Sequence, residues 1–274
     1  MILADMSNIA IDAVQRAVAG SKEHVTLTPS SLRHIVLTSL INIHKKIGRH
    51  HELVLCFDSK NYWRKDYMPE YKGSRKKTDA QFSWSEFYQL YSEFKAELPL
   101  YFPYKCIEIE RVEGDDIIFC ISDYLLGKNV VIASSDTDDL QILEKYPEAL
   151  QYSVKNKKFI TCADYNYTLL EHIIIGDKVD TVANILSDED TYMCPEKRSK
   201  AMTKQKLASL KFIIPAENKV RFEQNKKIID MSQIPDNYRQ EIIDAYLAPL
   251  PKRVGNSFEY CIKYKLGQLL KIIN

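Results

Sequence analysis

Carboxylates recur in this chain at the ends of apolar runs. Asp5 closes ILAD, and Asp58 closes LVLCFD. Glu113, Asp115 and Asp116 lie in ERVEGDD, Asp136 and Asp138 in VVIASSDTDD, and Asp177 and Asp180 in IIIGDKVD. If the apolar runs are parallel strands, their carboxyl ends share one edge of a sheet and the acids pool there. Pooled carboxylates repel one another, and a pair of divalent cations is the simplest neutraliser. The chemistry this implies is metal-assisted hydrolysis of a phosphodiester. Each acid taken singly has an ordinary structural use, as a cap for the following helix or a partner for its dipole. Their number points past that use. Asp139, out of phase with Asp136 and Asp138, reads as structural. Asp177 and Asp180, three apart, share a face if helical. The donors are oxygens with no His or Cys nearby in sequence, which selects Mg²⁺ or Mn²⁺ over zinc.

A second constellation is YWRKDYMPEYKGSRKK, residues 62–77, where aromatic and basic residues alternate. Bases meet phosphates and rings stack on nucleobases, so the segment suits a nucleic acid. Arg64, Lys72 and Arg75 are the expected phosphate contacts, with Lys76 and Lys77 extending the basic run. No G-x-x-x-x-G-K-[ST] or G-x-G-x-x-G is present, which argues against an NTPase or dinucleotide enzyme.

The elements that must position these residues alternate between strand and helix. Strands are expected at 1–5, ELVLCF, YKCIEI and NVVIAS, with ALQYSV and KFITC as a small antiparallel pair. Helices are expected at 9–19, over SLRHIVLTSLINIHKKIG capped by Ser30 or Ser31, over 83–98 closed by Pro99, over GDDIIFCISDYLLG, and from TDDLQIL. Residues 59–82 read as a loop or short helices. This is the pattern of an α/β, mostly parallel, doubly wound sheet. Strand signals stop near residue 177, and helices follow at 203–212, 215–227, 236–247 and 257–272. The expected division is an α/β domain over 1–176, with an arch segment at about 60–82, and an all-helical C-terminal domain over 177–274.

The net charge of +1 alone does not suggest a polyanion partner, but the distribution does. Residues 108–144 hold ten acids and two bases, residues 60–77 seven bases and two acids, and residues 195–227 ten bases and three acids. An acidic centre flanked by basic segments suits a protein that grips a polyanion around bound cations. The 6 cysteines are scattered without a C-x-x-C pair, which reads as reduced thiols in a cytoplasmic protein. No apolar run approaches the roughly 20 residues of a membrane span, and no secretory signal is read at the start.

Taken in order, ILAD, CFDSKNYWRKDYMPEYKGSR, VEGDD, IASSDTDDLQIL and IIIGDKVD resemble the flap endonuclease, or 5′-nuclease, superfamily over about residues 1–180. IPDNYRQEIIDAYLAPLP in the helical part is similar to the T-even-type phage ribonuclease H branch of that superfamily. The resemblance implies a PIN-like core in which Asp5, Asp58, Glu113, Asp115, Asp116, Asp136, Asp138, Asp177 and Asp180 hold two Mg²⁺ ions, with Mn²⁺ able to substitute. The first metal is expected near Asp5, Asp58, Asp115 and Asp136, the second near Asp138, Asp177 and Asp180. Tyr71, Lys72 and Arg75 match the helical arch that contacts the scissile region. The implied activity is 5′→3′ exonuclease and flap cleavage on DNA and RNA–DNA duplexes, with removal of RNA primers during phage replication. The products carry 5′ phosphates. The implied partners are those duplexes, with a single-strand DNA-binding protein and other replication proteins as further candidates, and the chain is expected to act as a monomer in the host cytoplasm.

One departure stands out. The glycine-rich hairpin that follows the last acidic motif in cellular relatives is replaced by DTVANILSDEDTYMCPEKRSKAM. Lys197, Arg198, Lys200, Lys204 and Lys206 are the candidates to grip the duplex instead. Two rival readings are a toxin-like endoribonuclease with an acidic α/β core and a non-catalytic, structure-specific DNA-binding protein.

Overall fold

The computed structural model describes residues 1–75 and 81–273. Its centre is a six-stranded sheet built from β1 (Ile2–Asp5), β2 (Leu53–Cys56), β3 (Lys105–Ile107), β4 (Val131–Ala133), β5 (Leu150–Ser153) and β6 (Lys158–Ile160). The spatial order is β3-β2-β1-β4-β5-β6. The first five strands run parallel and β6 pairs antiparallel with β5. Every residue of β1, β2 and β4 is buried, as continuous apolar runs in a sheet covered on both faces require. The chain order reverses beside β1, so the crevice at the carboxyl ends of β1 and β4 is the natural place for a site.

One face of the sheet is covered by α1 (Met6–Val18), α2 (Pro29–Ile47) and α3 (Trp84–Tyr101). The other carries α4 (Gly114–Tyr124) and α5 (Leu140–Lys145). After the short α6 (Cys162–Tyr165) come α7 (Leu169–Ile175), α8 (Lys204–Phe212), α9 (Lys219–Ile229), α10 (Asp236–Leu247), α11 (Ser257–Lys263) and α12 (Leu270–Ile273). Helix α10 returns to α4, where Ile242 is fully buried. Helix α11 returns to α3, where Tyr260 and Cys261 join the opposite core. The helical C-terminal part thus clasps both layers. Among the described residues it contains no strand, and no helix is long and apolar enough to cross a membrane.

Three local expectations shift. The cap of α2 is Thr28, whose hydroxyl accepts from the Ser31 amide while Ser31 answers to the Thr28 amide, with Pro29 at the first helical position. Pro99 does not close α3. It falls in the last turn, where it removes the bond to the Lys95 carbonyl without stopping the helix, which ends when the Phe102 amide bonds the Leu98 carbonyl at 2.9 Å. The helix expected over 257–272 breaks at Lys265, which takes φ +58° so that Leu266 and Leu269 can enter the core.

Candidate active site

Asp5 is the last residue of β1 and the cap of α1, accepting the Asn8 amide at 2.9 Å. The Ser134 hydroxyl donates to its other oxygen at 3.3 Å. Asp58, two residues past β2, accepts the Gly114 amide at 2.7 Å, which ties that strand end to the start of α4. Asp136, three residues past β4, accepts the Asp138 amide at 3.0 Å. The strand ends therefore place Asp5, Asp58 and Asp136 along one edge, and the first turn of α4 brings Asp115 to them. Burial, then the charges of Asp58 and Asp136, push the Asp5 carboxyl up to about 7. Burial and the charges of Asp139, Asp5, Asp136 and Asp58 hold the Asp115 carboxyl well above its ordinary range.

Asp139, read as structural, caps α5 and is fully buried beside the Asp5, Asp115 and Asp136 charges, with neither carboxylate oxygen in a hydrogen bond. Burial and the Asp136 and Asp5 charges drive it well above the ordinary carboxyl range.

Across the pocket, Asp138 meets His172 and Asp177, with one ligand atom from each within 4.8 Å of the others. His172 Nδ1 lies 3.6 Å from Asp138 Oδ1, and Nε2 lies 3.5 Å from Asp177 Oδ2. The expectation of an all-oxygen ligand set is corrected here, because an imidazole from the last turn of α7 stands among the acids. The signal was available in the sequence: His172 sits five residues before Asp177 in a helical run that ends at Gly176. Burial, then the charge of Asp136, pushes Asp138 up to about 8. Burial opposes the His172 cation, but Asp177 and Asp138 outweigh it and raise the imidazole above its ordinary value. Burial likewise works against the Asp177 anion, yet His172 and the Asp180 and Val179 amides keep it below the usual range.

Asp177 and Asp180 do not share a helical face. They lie in a turn that Gly176 makes possible at φ +74°, where an added Cβ would come within 2.4 Å of the Val182 carbonyl. Thr181 adopts φ +71°, a conformation costly for a β-branched residue. It is held there in part by Ser74, whose hydroxyl meets the Thr181 hydroxyl at 2.9 Å. Asp177 turns toward His172 while Asp180 turns toward the basic segment.

That segment is engaged with carboxylates rather than splayed into solvent. Lys72 pairs with Glu113 and lies 3.8 Å from Asp180, and Arg75 pairs with Asp180. The Tyr71 hydroxyl lies 2.8 Å from Asp180 and 3.0 Å from Glu113, with one proton to share between the two carboxylates. Arg64 is 4 % exposed; it bonds Asp116 at 2.7 and 2.9 Å, Glu113 at 2.8 Å and the Ile228 carbonyl at 2.8 Å. Two expectations are corrected by this burial. Arg64 and Tyr71 are bonded to carboxylates and anchor the segment from the pocket wall, which they line, instead of standing exposed on the surface. Asp116, fully buried and also bonded by Trp63 Nε1 at 2.9 Å, is spent on that anchor rather than free for a metal. Glu113 is shared among Arg64, Tyr71 and Lys72. Lys76 and Lys77 lie outside the described residues.

The carboxylates and the basic segment enclose a pocket of about 330 Å³. Asp115, Asp136, Asp138, Asp177 and Asp180 line it with Lys72 and Arg75, joined by Asn8 and Lys155, which the sequence reading missed. Lys155 sits in the β5–β6 turn, and its amide bonds the Ser135 hydroxyl at 2.8 Å. Lys197, Arg198, Lys200, Lys204 and Lys206 are exposed on the segment leading into α8 and its first turn. Lys197 is tied to Asp190 at 2.6 Å and Asp188 at 3.2 Å.

The donor set fits divalent cations. Buried carboxylates without internal counter-charges, and two Asp139 oxygens with no partner, are unfavourable unless a cation joins them. Asp5, Asp58, Asp115 and Asp136 could hold one such ion and Asp138, His172 and Asp177 another.

The chain is 29% identical to the ribonuclease H of Enterobacteria phage T4, over 99% of this chain and 94% of that protein. Among solved structures, a bacteriophage T5 protein crystallised with metal ions matches with a TM-score of 0.60 at 15% identity, covering 100% of this chain and 99% of that one. A bacteriophage T5 flap endonuclease in a pseudo-enzyme–product complex with DNA and metal ions matches with a TM-score of 0.57 at 16% identity, covering 99% and 98%. These two show a shared fold. Residues 164–274 match the family described as T4 RNase H, C terminal, and residues 13–168 match that of the 5′-3′ exonuclease N-terminal, resolvase-like domain, so the chain belongs to the 5′-3′ exonuclease family of nucleases.

Proposed function

We propose that the chain is a 5′ nuclease dependent on two Mg²⁺ ions, hydrolysing phosphodiesters near the 5′ end or flap of DNA and RNA–DNA duplexes. The observation that carries the reading is the pocket of about 330 Å³, where Asp115, Asp136, Asp138, Asp177 and Asp180 share the wall with Lys72, Arg75 and Lys155. Bound divalent cations supply Lewis acidity to the phosphate oxygens and to the attacking water. The protein supplies the rest. Asp5, Asp58, Asp115 and Asp136 would hold one ion, and Asp138 and Asp177, with His172 beside them, the other. Lys72 and Arg75 exchange Glu113 and Asp180 for the scissile phosphate and neutralise its growing charge. No protein base is required. The Arg64–Asp116–Glu113 anchor holds the segment bearing Lys72 against α4, so the cations reach the phosphate from a fixed root.

Residues 1–176 form the nuclease domain in this reading, and residues 177–274 form a helical part that holds duplex through Lys197, Arg198, Lys200, Lys204 and Lys206. The T4 relative is named a ribonuclease H and a T5 neighbour was solved with DNA, which supports primer removal during phage replication as the biological task. The test is cleavage of 5′-labelled flap, nicked and RNA–DNA substrates with Mg²⁺ and with EDTA. Mg²⁺-dependent products bearing 5′ phosphates are expected. Cutting without 5′-end preference would favour an endoribonuclease, and Mg²⁺-independent duplex binding without cutting would favour a non-catalytic binder.

A further inference from the structure

The imidazole among the second group of acids changes which cation that group prefers. Donors about 2.0–2.2 Å from one ion lie roughly 3–3.6 Å apart, and His172 Nε2 stands 3.5 Å from Asp177 Oδ2. One ligand atom each of Asp138, His172 and Asp177 lies within 4.8 Å of the others. His172 Nδ1, the other ring nitrogen, has the Tyr167 hydroxyl at 3.4 Å and Asp138 Oδ1 at 3.6 Å. A ligating imidazole is typically oriented by such a polar partner on its second nitrogen. That assignment leaves Nε2, beside Asp177, to face the ion. The three residues are half-buried, so an ion would reach them from the pocket without unfolding the wall.

We propose that His172 Nε2 and Asp177, with Asp138 beside them, form a mixed imidazole–carboxylate site that binds Mn²⁺, and more tightly Co²⁺ or Zn²⁺, in preference to Mg²⁺. Mg²⁺ is a hard ion that takes oxygen and keeps its waters, whereas imidazole suits the borderline transition ions in the order Mn²⁺ below Co²⁺, with Zn²⁺ also bound more tightly than Mn²⁺. The site at Asp5, Asp58, Asp115 and Asp136 has oxygen donors alone and lacks that bias. The two positions therefore differ in chemistry: Mg²⁺ serves at both, while a transition ion competes with it more strongly at the second. The inference rests on the proposal that this pocket holds divalent cations.

The experiment is titration of the full chain with Mg²⁺ and with Mn²⁺ by calorimetry, together with pulsed electron paramagnetic resonance of the bound Mn²⁺. The wild-type protein should show coupling of Mn²⁺ to an imidazole nitrogen. His172→Gln and His172→Asn should both lose that coupling and weaken Mn²⁺ binding at one site by at least about tenfold, with Mg²⁺ binding at the other site preserved. The preserved Mg²⁺ site shows that the variants remain folded. Absence of nitrogen coupling in the wild-type protein, or Mn²⁺ affinity in both variants equal to wild type, overturns the inference while leaving the nuclease proposal standing. Failure to bind either ion, with no Mg²⁺-dependent cleavage, overturns both.

Discussion

Two groups of buried or half-buried carboxylates lie in and behind this pocket and are neutralised in opposite ways. Glu113, Asp116 and Asp180 are met by the protein's own cations, Arg64, Lys72 and Arg75, and by the Tyr71 and Trp63 donors. Asp5, Asp115, Asp136 and Asp139 have no basic partner among the described residues, and Asp138 has only His172. Glu113 shows how partial even the first arrangement is. Burial raises its carboxyl although Lys72 and Arg64 pull it down. The difference assigns the two groups different tasks. The first builds a rigid root for the basic segment, and the second stays available to cations from solution.

The comparison is broken most directly in the second group. Asp136→Asn and Asp138→Asn should each lower single-turnover cleavage of a 5′-flap duplex by three orders of magnitude or more, about 4 kcal/mol of barrier. Near-normal rates in either variant would remove that residue from the cation site. In the first group the same logic predicts a folding defect rather than a chemical one. Arg64→Ala leaves Asp116 and Glu113 buried without their guanidinium, a change that costs about 3–5 kcal/mol. Urea unfolding checks it, and a loss below about 1 kcal/mol would mean the anchor is dispensable.

The two groups were also unequally legible in the sequence. Strand-end acids could be read because an apolar run and the residue that closes it are local features, and a parallel sheet then aligns such ends. Asp5, Asp58 and Asp136 needed no long-range contact to be placed. The fate of the basic segment could not be read in this way. Arg64 finds Asp116 across 52 residues and Tyr71 finds Asp180 across 109, so nothing near them in sequence distinguishes a buried anchor from a phosphate contact. His172 was missed for a third reason. It belongs to a helix of seven residues, where side-chain direction is set by the flanking turns as much as by periodicity.

Lys72 belongs to both groups, since it pairs with Glu113 while lining the pocket. Burial opposes its charge, but Glu113 and Asp180 raise its pKa, so the ammonium persists at neutral pH. Lys72→Ala should reduce cleavage about 100-fold, comparable to losing one transition-state donor. Duplex affinity, measured in Ca²⁺ to prevent cutting, should fall only severalfold. Equal losses in rate and affinity would make Lys72 a simple grip and move it out of the reacting set.

The smallest effect concerns pH, and it separates the groups without any mutation. Asp5 and Asp138 are raised from an ordinary 3.8 to about 7 and about 8, and Asp115 and Asp139 are also raised. Between about pH 4 and pH 8 the folded protein therefore holds protons that the unfolded chain has released. Stability must then fall as pH rises through this window, by about 1.4 kcal/mol per pH unit for each extra proton retained. His172, raised by Asp177 and Asp138, acts with the same sign above its ordinary value of 6.5. Divalent cations compete with those protons, so binding strengthens as pH rises and offsets the loss. Urea unfolding at pH 5, 6, 7 and 8 should show a downward slope in EDTA and a flatter one in saturating Mg²⁺. A flat profile in EDTA would mean that the second group is already neutralised from within, and the contrast between the two groups would collapse.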